Sequence, residues 1–253
     1  MKITISTLPG ADANFGTWLQ LISLYRYLEE EFNAESSIWW QPKIWDLMKC
    51  KSLFERDFEY FGFRVRPATE SDFIVIGSDV VLYFGATWYS EKWFADVVQF
   101  PGIDDCKKII FAGSSDRGSV KKYKWYDMFL KNIKYLAFRE KTTYENNMFP
   151  EHPNWTYVLD PTFLHDPEYY LKMAKKPDME IPNDFSVSYF PHKDIFKSSL
   201  NIPENTIELY NNPAIGIREF LWMVKNCETL YTNAFHGTVF GILFGRKIVN
   251  DRA

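Results

Sequence analysis

The stretch ITISTLPGADANFGTWLQLISLYRYL, residues 3–28, decides the fold. It opens on a β-branched run, Ile3 to Ser6, that reads as a strand. A loop containing Pro9, Gly10, Asn14 and Gly16 follows. Trp18, Leu21, Ile22, Tyr25 and Leu28 then fall at helical spacing on one face. Strand, glycine-containing loop, helix is the opening unit of a doubly wound α/β sheet.

The same alternation continues along the chain. Phe73–Ile76 reads as a buried strand ending in Gly77-Ser78-Asp79, and Lys108–Phe111 as another ending in Ala112-Gly113-Ser114-Ser115. Residues 121–132 read as a helix, Tyr135–Phe138 as a strand ending in Arg139-Glu140, and a helix is expected from Thr142. Tyr157–Leu159 reads as a strand ending in Asp160-Pro161. In open α/β sheets ligands sit outside the carboxyl ends of the strands, so these polar and glycine-rich ends are the places to look for a site.

The Pro- and charge-rich residues 165–184 read as a linker. It separates a domain over residues 1–167 from a short second α/β domain over residues 184–253. In the second, Phe185–Tyr189, Thr206–Tyr210, Thr229–Thr232 and Lys247–Asn250 are the expected strands. Helices are expected from about Ile215 to Asn226 and from Gly237 to Phe244. About 70 residues is small for an α/β unit, so this domain is minimal or leans on the first domain or on a partner chain.

Composition narrows the classes. The chain has 253 residues, 46% of them hydrophobic and 18% aromatic, enough for a sizeable core. A net charge of −4 argues against a nucleic-acid binder, which carries a basic face. Three cysteines, Cys50, Cys106 and Cys227, have no paired spacing and read as free thiols in a reducing compartment. No signal peptide and no run of roughly 20 apolar residues is visible, so a soluble cytoplasmic protein is expected, with no transmembrane segment. Metal-ligand spacings and the Gly-x-Gly-x-x-Gly fingerprint are absent, so neither a metal nor a dinucleotide cofactor is expected.

Read from the residues alone, several groups carry chemistry. His236 lies between a strand and a helix expected to begin at Gly237-Thr238. A helix start offers unpaired N–H groups suited to phosphate, and Gly237 permits close backbone approach to a ligand. His236 there is a general acid or, equally, a histidine satisfied by local hydrogen bonds. Arg139 is a bidentate fork for a carboxylate or phosphate, or the partner of Glu140 or Asp160. Asp79 is a base on an acceptor hydroxyl or a helix cap. Asn14 and Gly16 open the first helix. Tyr83, Phe84, Trp88, Tyr89 and Trp93 form a sugar platform or simply core. His152, His165 and His192 read as surface residues.

Taken in order, the motifs resemble the polysaccharide pyruvyl transferase family over most of the chain, from Asn14 to about Asn250. Asn14-Phe15-Gly16 with Leu19-Gln20, Gly77-Ser78-Asp79, Ala112-Gly113-Ser114, Arg139-Glu140 and Asp160-Pro161-Thr162 carry the likeness. Asn226-Cys227 followed by Phe235-His236-Gly237-Thr238-Val239-Phe240 is its most distinctive block. The resemblance implies two Rossmann-like domains in a GT-B-like arrangement. It implies transfer of the enolpyruvyl group of phosphoenolpyruvate to two hydroxyls of a sugar or glycan, forming a pyruvate ketal. It further implies His236, Arg139 and Asp79 as catalytic residues, and Asn14, Gly16, Gly77, Ser78, Ser114, Gly237 and Thr238 as substrate contacts. Some family members carry an arginine where this chain has Ala234, which bears on the donor. A nucleotide-sugar glycosyltransferase and a non-catalytic glycan-binding relative stand as alternatives. The oligomeric state is left open.

Overall fold

The computed structural model describes residues 1–7, 14–39, 51–82, 98–115, 130–141, 152–191, 200–210 and 212–250. The chain forms two compact units. The first comprises Met1–Leu8, Gln20–Trp40 and Phe63–Leu164, and the second Pro9–Leu19, Gln41–Gly62 and His165–Ala253. The expected helices over 121–132 and from Thr142, the aromatics from Tyr83 to Trp93, Cys50 and His192 lie wholly or mostly outside the described residues.

The first unit is a parallel sheet with helix α1 (Phe15–Phe32) contributing from Gln20 onward. Its strands are β1 (Lys2–Ser6), β2 (Glu35–Ile38), β3 (Phe73–Ile76), β4 (Asp79–Leu82), β5 (Lys108–Ser115), β6 (Tyr135–Phe138) and β7 (Trp155–Tyr157). They run in the order β2-β1-β3-β5-β6-β7. Strands β3 and β4 occupy one strand position, since Ile76 pairs with Ile110 and Asp79 with Gly113, all on β5. The interruption is Gly77–Ser78, joined by a cis peptide bond. Gly77 has φ of 119°, and a Cβ there would strike the Phe111 carbonyl oxygen, so only glycine fits.

Parallel strands covered on both faces read as continuous apolar runs. Ile3, Ile5, Ile74, Ile76, Ile110, Leu136 and Phe138 are accordingly buried. Buried hydroxyls are satisfied among themselves: Thr4 Oγ1 lies 2.8 Å from Ser37 Oγ and 2.5 Å from Ser71 Oγ. The expected strand Tyr157–Leu159 is displaced to β7 at Trp155–Tyr157. Trp155 packs edge-on against Phe138 at 6.4 Å, whereas Leu159 is exposed.

The second unit repeats the arrangement on a smaller scale. Strands β8 (Val187–Tyr189), β9 (Ile207–Glu208), β10 (Thr229–Thr232) and β11 (Lys247–Val249) pair in parallel in the order β11-β10-β8-β9. Helices α2 (Lys51–Phe61), α3 (Pro167–Met173), α4 (Ile217–Asn226) and α5 (Phe235–Leu243) accompany them. In each sheet the strand order reverses once, at β1/β3 in the first and β8/β10 in the second. Such reversal points open a crevice at the carboxyl ends of the two strands.

Two expectations change here. Residues 165–173 are more than linker: Asp166 caps α3 through its bond from the Tyr169 N–H, and fully buried Tyr170 meets the Phe240 ring at 5.0 Å. The segment 184–253 also does not pack by itself, because residues 9–19 and 41–62 cluster with it. Phe15 stacks on Phe220 at 5.0 Å and on Tyr189 at 5.7 Å. From α2, Asp57 Oδ2 accepts the Ile217 N–H at 2.9 Å and so caps α4. Arg56 bridges Asp57 and Glu219, at 2.7 Å to each. These segments supply the apolar and capping groups that a minimal sheet lacks.

Burial pushes the Asp57 carboxyl upward against the pull of Arg56, with Glu219 adding like-charge repulsion. A carboxyl raised in the folded state binds its proton more tightly than in the unfolded chain. Its contribution to stability therefore falls as pH climbs above the ordinary carboxylate range. Asp57→Asn is expected to remove that fall. Urea unfolding of both proteins between pH 4 and 7 should show the variant gaining stability relative to the parent as pH rises; parallel curves would contradict this reading.

Candidate active site

In the second unit the reversal point between β8 and β10 gathers the most distinctive residues. Thr232 ends β10, and its Oγ1 donates to the Tyr189 carbonyl at 2.7 Å while accepting the Ala234 N–H at 3.0 Å. This fold-back starts α5 at Phe235, so His236 lies within the first helical turn and not on a loop before it. His236 is buried, at 6% exposure. Ala234 occupies the N-cap position and supplies no side-chain bond, so the N–H groups that open α5 are not capped from there.

Helix α1 begins against the same point. Asn14 directly precedes it, and its carbonyl accepts the Thr17 N–H at 3.2 Å. Gly16 faces His236 so closely that a Cβ on Gly16 would overlap the imidazole at Nδ1, Cβ and Cγ. The second residue of one helix thus lies flat on the second residue of another. Helix starts carry unpaired donors and a partial positive charge. Two of them at one histidine suit an anion better than either alone.

Gly237 has a different role from the one its sequence position suggests. A Cβ there would meet Thr232 Oγ1 at 2.5 Å and Tyr189 Cδ1 at 3.1 Å. The glycine is required because the helix packs tightly on two strand ends, and that face is closed to a ligand. Thr238 is also engaged: its hydroxyl donates to the Ala234 carbonyl at 3.1 Å and accepts from Asn250 Nδ2 at 3.0 Å.

The first unit brings together a second group of candidates at the reversal point between β1 and β3. Thr7 Oγ1 donates to the Ser78 carbonyl at 2.9 Å, joining the ends of those strands. Ser78 Oγ donates to Gln20 Oε1 at 2.5 Å, and Arg139 Nη1 reaches the same oxygen at 3.2 Å. Because a guanidinium only donates, the Gln20 amide is oriented with its oxygen toward Arg139. Arg139 Nη1 also pairs with Asp160 Oδ2 at 2.6 Å, and its Nε lies 3.4 Å from Glu140 Oε1. Asp160 Oδ1 in turn accepts the Thr162 N–H at 3.0 Å and hydroxyl at 2.7 Å. Ser114 Oγ donates to Glu140 Oε1. The Asp79 backbone follows Ser78 in β4; its side chain lies outside the described set.

Some residues escape a reading of spacing alone. Gln20 is fully buried, and its Nε2 has no hydrogen-bond partner among the described residues. Beyond its membership of the Asn14–Gln20 block, its signal is its place one helical turn after Gly16. Asn233, between β10 and α5, is buried at 3% exposure with its Nδ2 likewise unpartnered among the described residues. Tyr189 carries no sequence signal beyond closing a strand. His152 is buried, with Nδ1 accepting the Asn154 N–H at 3.1 Å and Nε2 against the Ile133 carbonyl at 2.8 Å, so it is structural and not a surface residue. His165 stacks on Tyr169 at 3.9 Å. Among the described residues no group of three or more His, Cys, Asp or Glu side chains is arranged to hold a metal, and no helix is long and apolar enough to cross a membrane.

The family model described as polysaccharide pyruvyl transferase matches residues 14–249. No curated protein matches the sequence. Solved structures share the fold at low identity. A protein of uncharacterised function from Klebsiella pneumoniae is 15% identical, with TM-score 0.53 over 98% of this chain and 81% of its own. A putative UDP-N-acetylglucosamine 2-epimerase from Listeria monocytogenes is 10% identical, with TM-score 0.58 over 98% and 78%. The UDP-GlcNAc 2-epimerase from Neisseria meningitidis, bound to UDP-GlcNAc, is 8% identical, with TM-score 0.54 over 100% and 84%. At these identities the likeness is one of fold: parallel α/β sheets of GT-B-like type.

Gly16→Ala must move either the His236 ring or the first turn of α1. A loss of about 1–3 kcal/mol, as for other overpacked sites, is expected in thermal or urea unfolding; unchanged stability together with an unmoved His236 ring resonance would refute the contact. Ala234→Asp is expected to act in opposite directions on two measurements. It caps α5 and adds about 1 kcal/mol of stability, yet its carboxylate opposes an anion at the same helix start. Binding of inorganic phosphate, followed by calorimetry, should weaken roughly tenfold, or about 1.4 kcal/mol.

Proposed function

Since the chain belongs to the polysaccharide pyruvyl transferase family, and so to the transferases of glycan modification, we propose that it moves the enolpyruvyl group of phosphoenolpyruvate onto a sugar diol. The products are a pyruvate ketal and inorganic phosphate. The observation that carries this reading is the packing of Gly16, at the start of α1, against His236, at the start of α5.

The chemistry balances as follows. Two hydroxyl oxygens bond to the central carbon of the donor, and its bond to the phosphate oxygen breaks. One hydroxyl proton ends on the methylene carbon, making the methyl group, and the other ends on the phosphate. A general acid is therefore needed where the phosphate departs, and His236 takes that role. The N–H groups that open α5 hold the phosphate, with the Gly16 N–H of α1 and Asn14 beside them. Arg139, its fork oriented by Asp160 and Gln20, is the candidate anion-binding group of the first unit. Asp79 is the candidate base on the acceptor hydroxyl. Ser78 and Ser114 are placed by their bonds to Gln20 and Glu140. The acceptor is a sugar or glycan, and the reaction is assigned to the cytoplasm.

The fold neighbours allow a nucleotide-sugar reading by analogy of architecture alone. Ala234 allows a non-catalytic one. One set of measurements separates the three. Calorimetry with phosphoenolpyruvate, UDP and UDP-sugars is expected to show binding of phosphoenolpyruvate at or below millimolar concentration. Phosphate release with a glycan panel is expected to fall at least a hundredfold in His236→Ala, within the usual range for a lost general acid, while circular dichroism stays that of the parent. Binding of UDP without binding of phosphoenolpyruvate would replace this reading with the glycosyltransferase one. Indifference of every ligand response to His236→Ala would favour the non-catalytic relative.

A further inference from the structure

We infer that Tyr189 is the positioning residue for His236, acting through the two helix starts that hold the imidazole and touching no substrate itself. The inference rests on the proposed role of His236, and its geometry lies wholly within the second unit. Tyr189 closes β8 at the reversal point and is fully buried. Its hydroxyl accepts the Phe15 N–H at 3.0 Å and lies 3.5 Å from Asn14 Oδ1, to which it donates. Phe15 is the first residue of α1, so its N–H is one of the donors a helix leaves unsatisfied at its start. The Tyr189 ring lies against Phe15 at 5.7 Å and Phe220 at 5.0 Å. The hydroxyl and ring together therefore fix the turn that presses Gly16 onto His236.

The same residue also fixes the other helix. Its carbonyl accepts from Thr232 Oγ1 at 2.7 Å, and Thr232 Oγ1 in turn accepts the N–H of the α5 cap residue, Ala234. Its Cδ1 would be 3.1 Å from a Cβ on Gly237, the neighbour of His236. One side chain thus bears on the glycine packed over the imidazole ring and on the glycine next to it in the chain. A general acid needs its ring held to within a fraction of an ångström of the departing group, so a small shift of either helix start costs rate.

The test is Tyr189→Phe, which keeps the ring and removes only the oxygen. Tyr170→Phe serves as the control, since Tyr170 is equally buried in the same aromatic cluster and meets Phe240 at 5.0 Å. In Tyr189→Phe, kcat for phosphate release is expected to fall at least tenfold with KM for phosphoenolpyruvate within twofold. The limb of the pH–rate profile that reports His236 should shift. Tyr170→Phe should leave both unchanged. Ring resonances of the four histidines, assigned by His236→Gln, supply a readout that needs no turnover. The His236 titration curve should move in Tyr189→Phe and stay in place in Tyr170→Phe. An unmoved His236 curve and an unchanged kcat in Tyr189→Phe would overturn the inference even if the transferase is active. A moved curve in a protein that neither binds nor turns over phosphoenolpyruvate would uphold the positioning role and reject the proposed reaction.

Discussion

The second unit depends on one buried contact: the N–H of Phe15 directed at the Tyr189 hydroxyl, with the two rings stacked beside it. A helix start in a protein interior has donors to satisfy, and leaving one unmatched costs about 1–3 kcal/mol. Tyr189 matches one of them from the end of a strand, which a short polar cap residue in the loop could not do while also packing Phe15 and Phe220. Once that bond exists, the start of α1 has little freedom. The glycine one residue on must lie against whatever faces it, and what faces it is His236. Asn14, Gly16, Tyr189, Gly237 and His236 are therefore one packing problem with a single solution, not five separate adaptations.

Both sheets share one logic of construction. Each runs parallel, each reverses its strand order once, and each places its unusual polar residues at that reversal. The reason is geometric. Connections leave the two central strands toward opposite faces, which opens a crevice outside their carboxyl ends. In the first unit that space is bordered by Thr7, Ser78, Gln20 and Arg139, joined into a network that also holds Asp160 and Thr162. In the second it is bordered by backbone and glycine around an imidazole. The contrast is one of chemistry: side-chain charge held by an opposite charge in one, helix starts and a titratable ring in the other.

Much of this is legible in the amino-acid sequence. Apolar runs such as Phe73–Ile76 and Tyr135–Phe138 carry their own strand signal, because burial on both faces leaves no polar alternation to confuse them. The pairing of Arg139 with Asp160 was one of two open readings, and the ion pair is present. What escaped depends on contacts far apart in sequence. Periodicity cannot report that Phe15 belongs with Tyr189, or that Arg56 and Asp57 cap and bridge a helix that begins at Ile217. For the same reason the sequence leaves open whether 184–253 is a minimal domain or leans on other parts, and does not name the segments that cluster with it. Gly237 shows the limit in miniature: a glycine beside a candidate catalytic histidine suggests room for a ligand, whereas the room is taken by Thr232 and Tyr189. The β7 strand shifted toward Trp155 because tertiary packing on Phe138, not local propensity, selects which residues pair.

The composite make-up of the second unit has a consequence for how the chain is made. Its pieces come from both ends of the sequence, and Phe15 and Tyr189 are 174 positions apart. At translation speeds of roughly 5–20 residues per second, the early pieces wait on the order of 10–35 s for their partners to leave the ribosome. During that interval Phe15 and the residues of α2 have no sheet to cover. The first unit, whose last residue is Leu164, can be assembled before them. The aromatic cluster around Tyr189 therefore assembles after the strands of the first unit, and the histidine acquires its surroundings only once residues through α5 have left the ribosome.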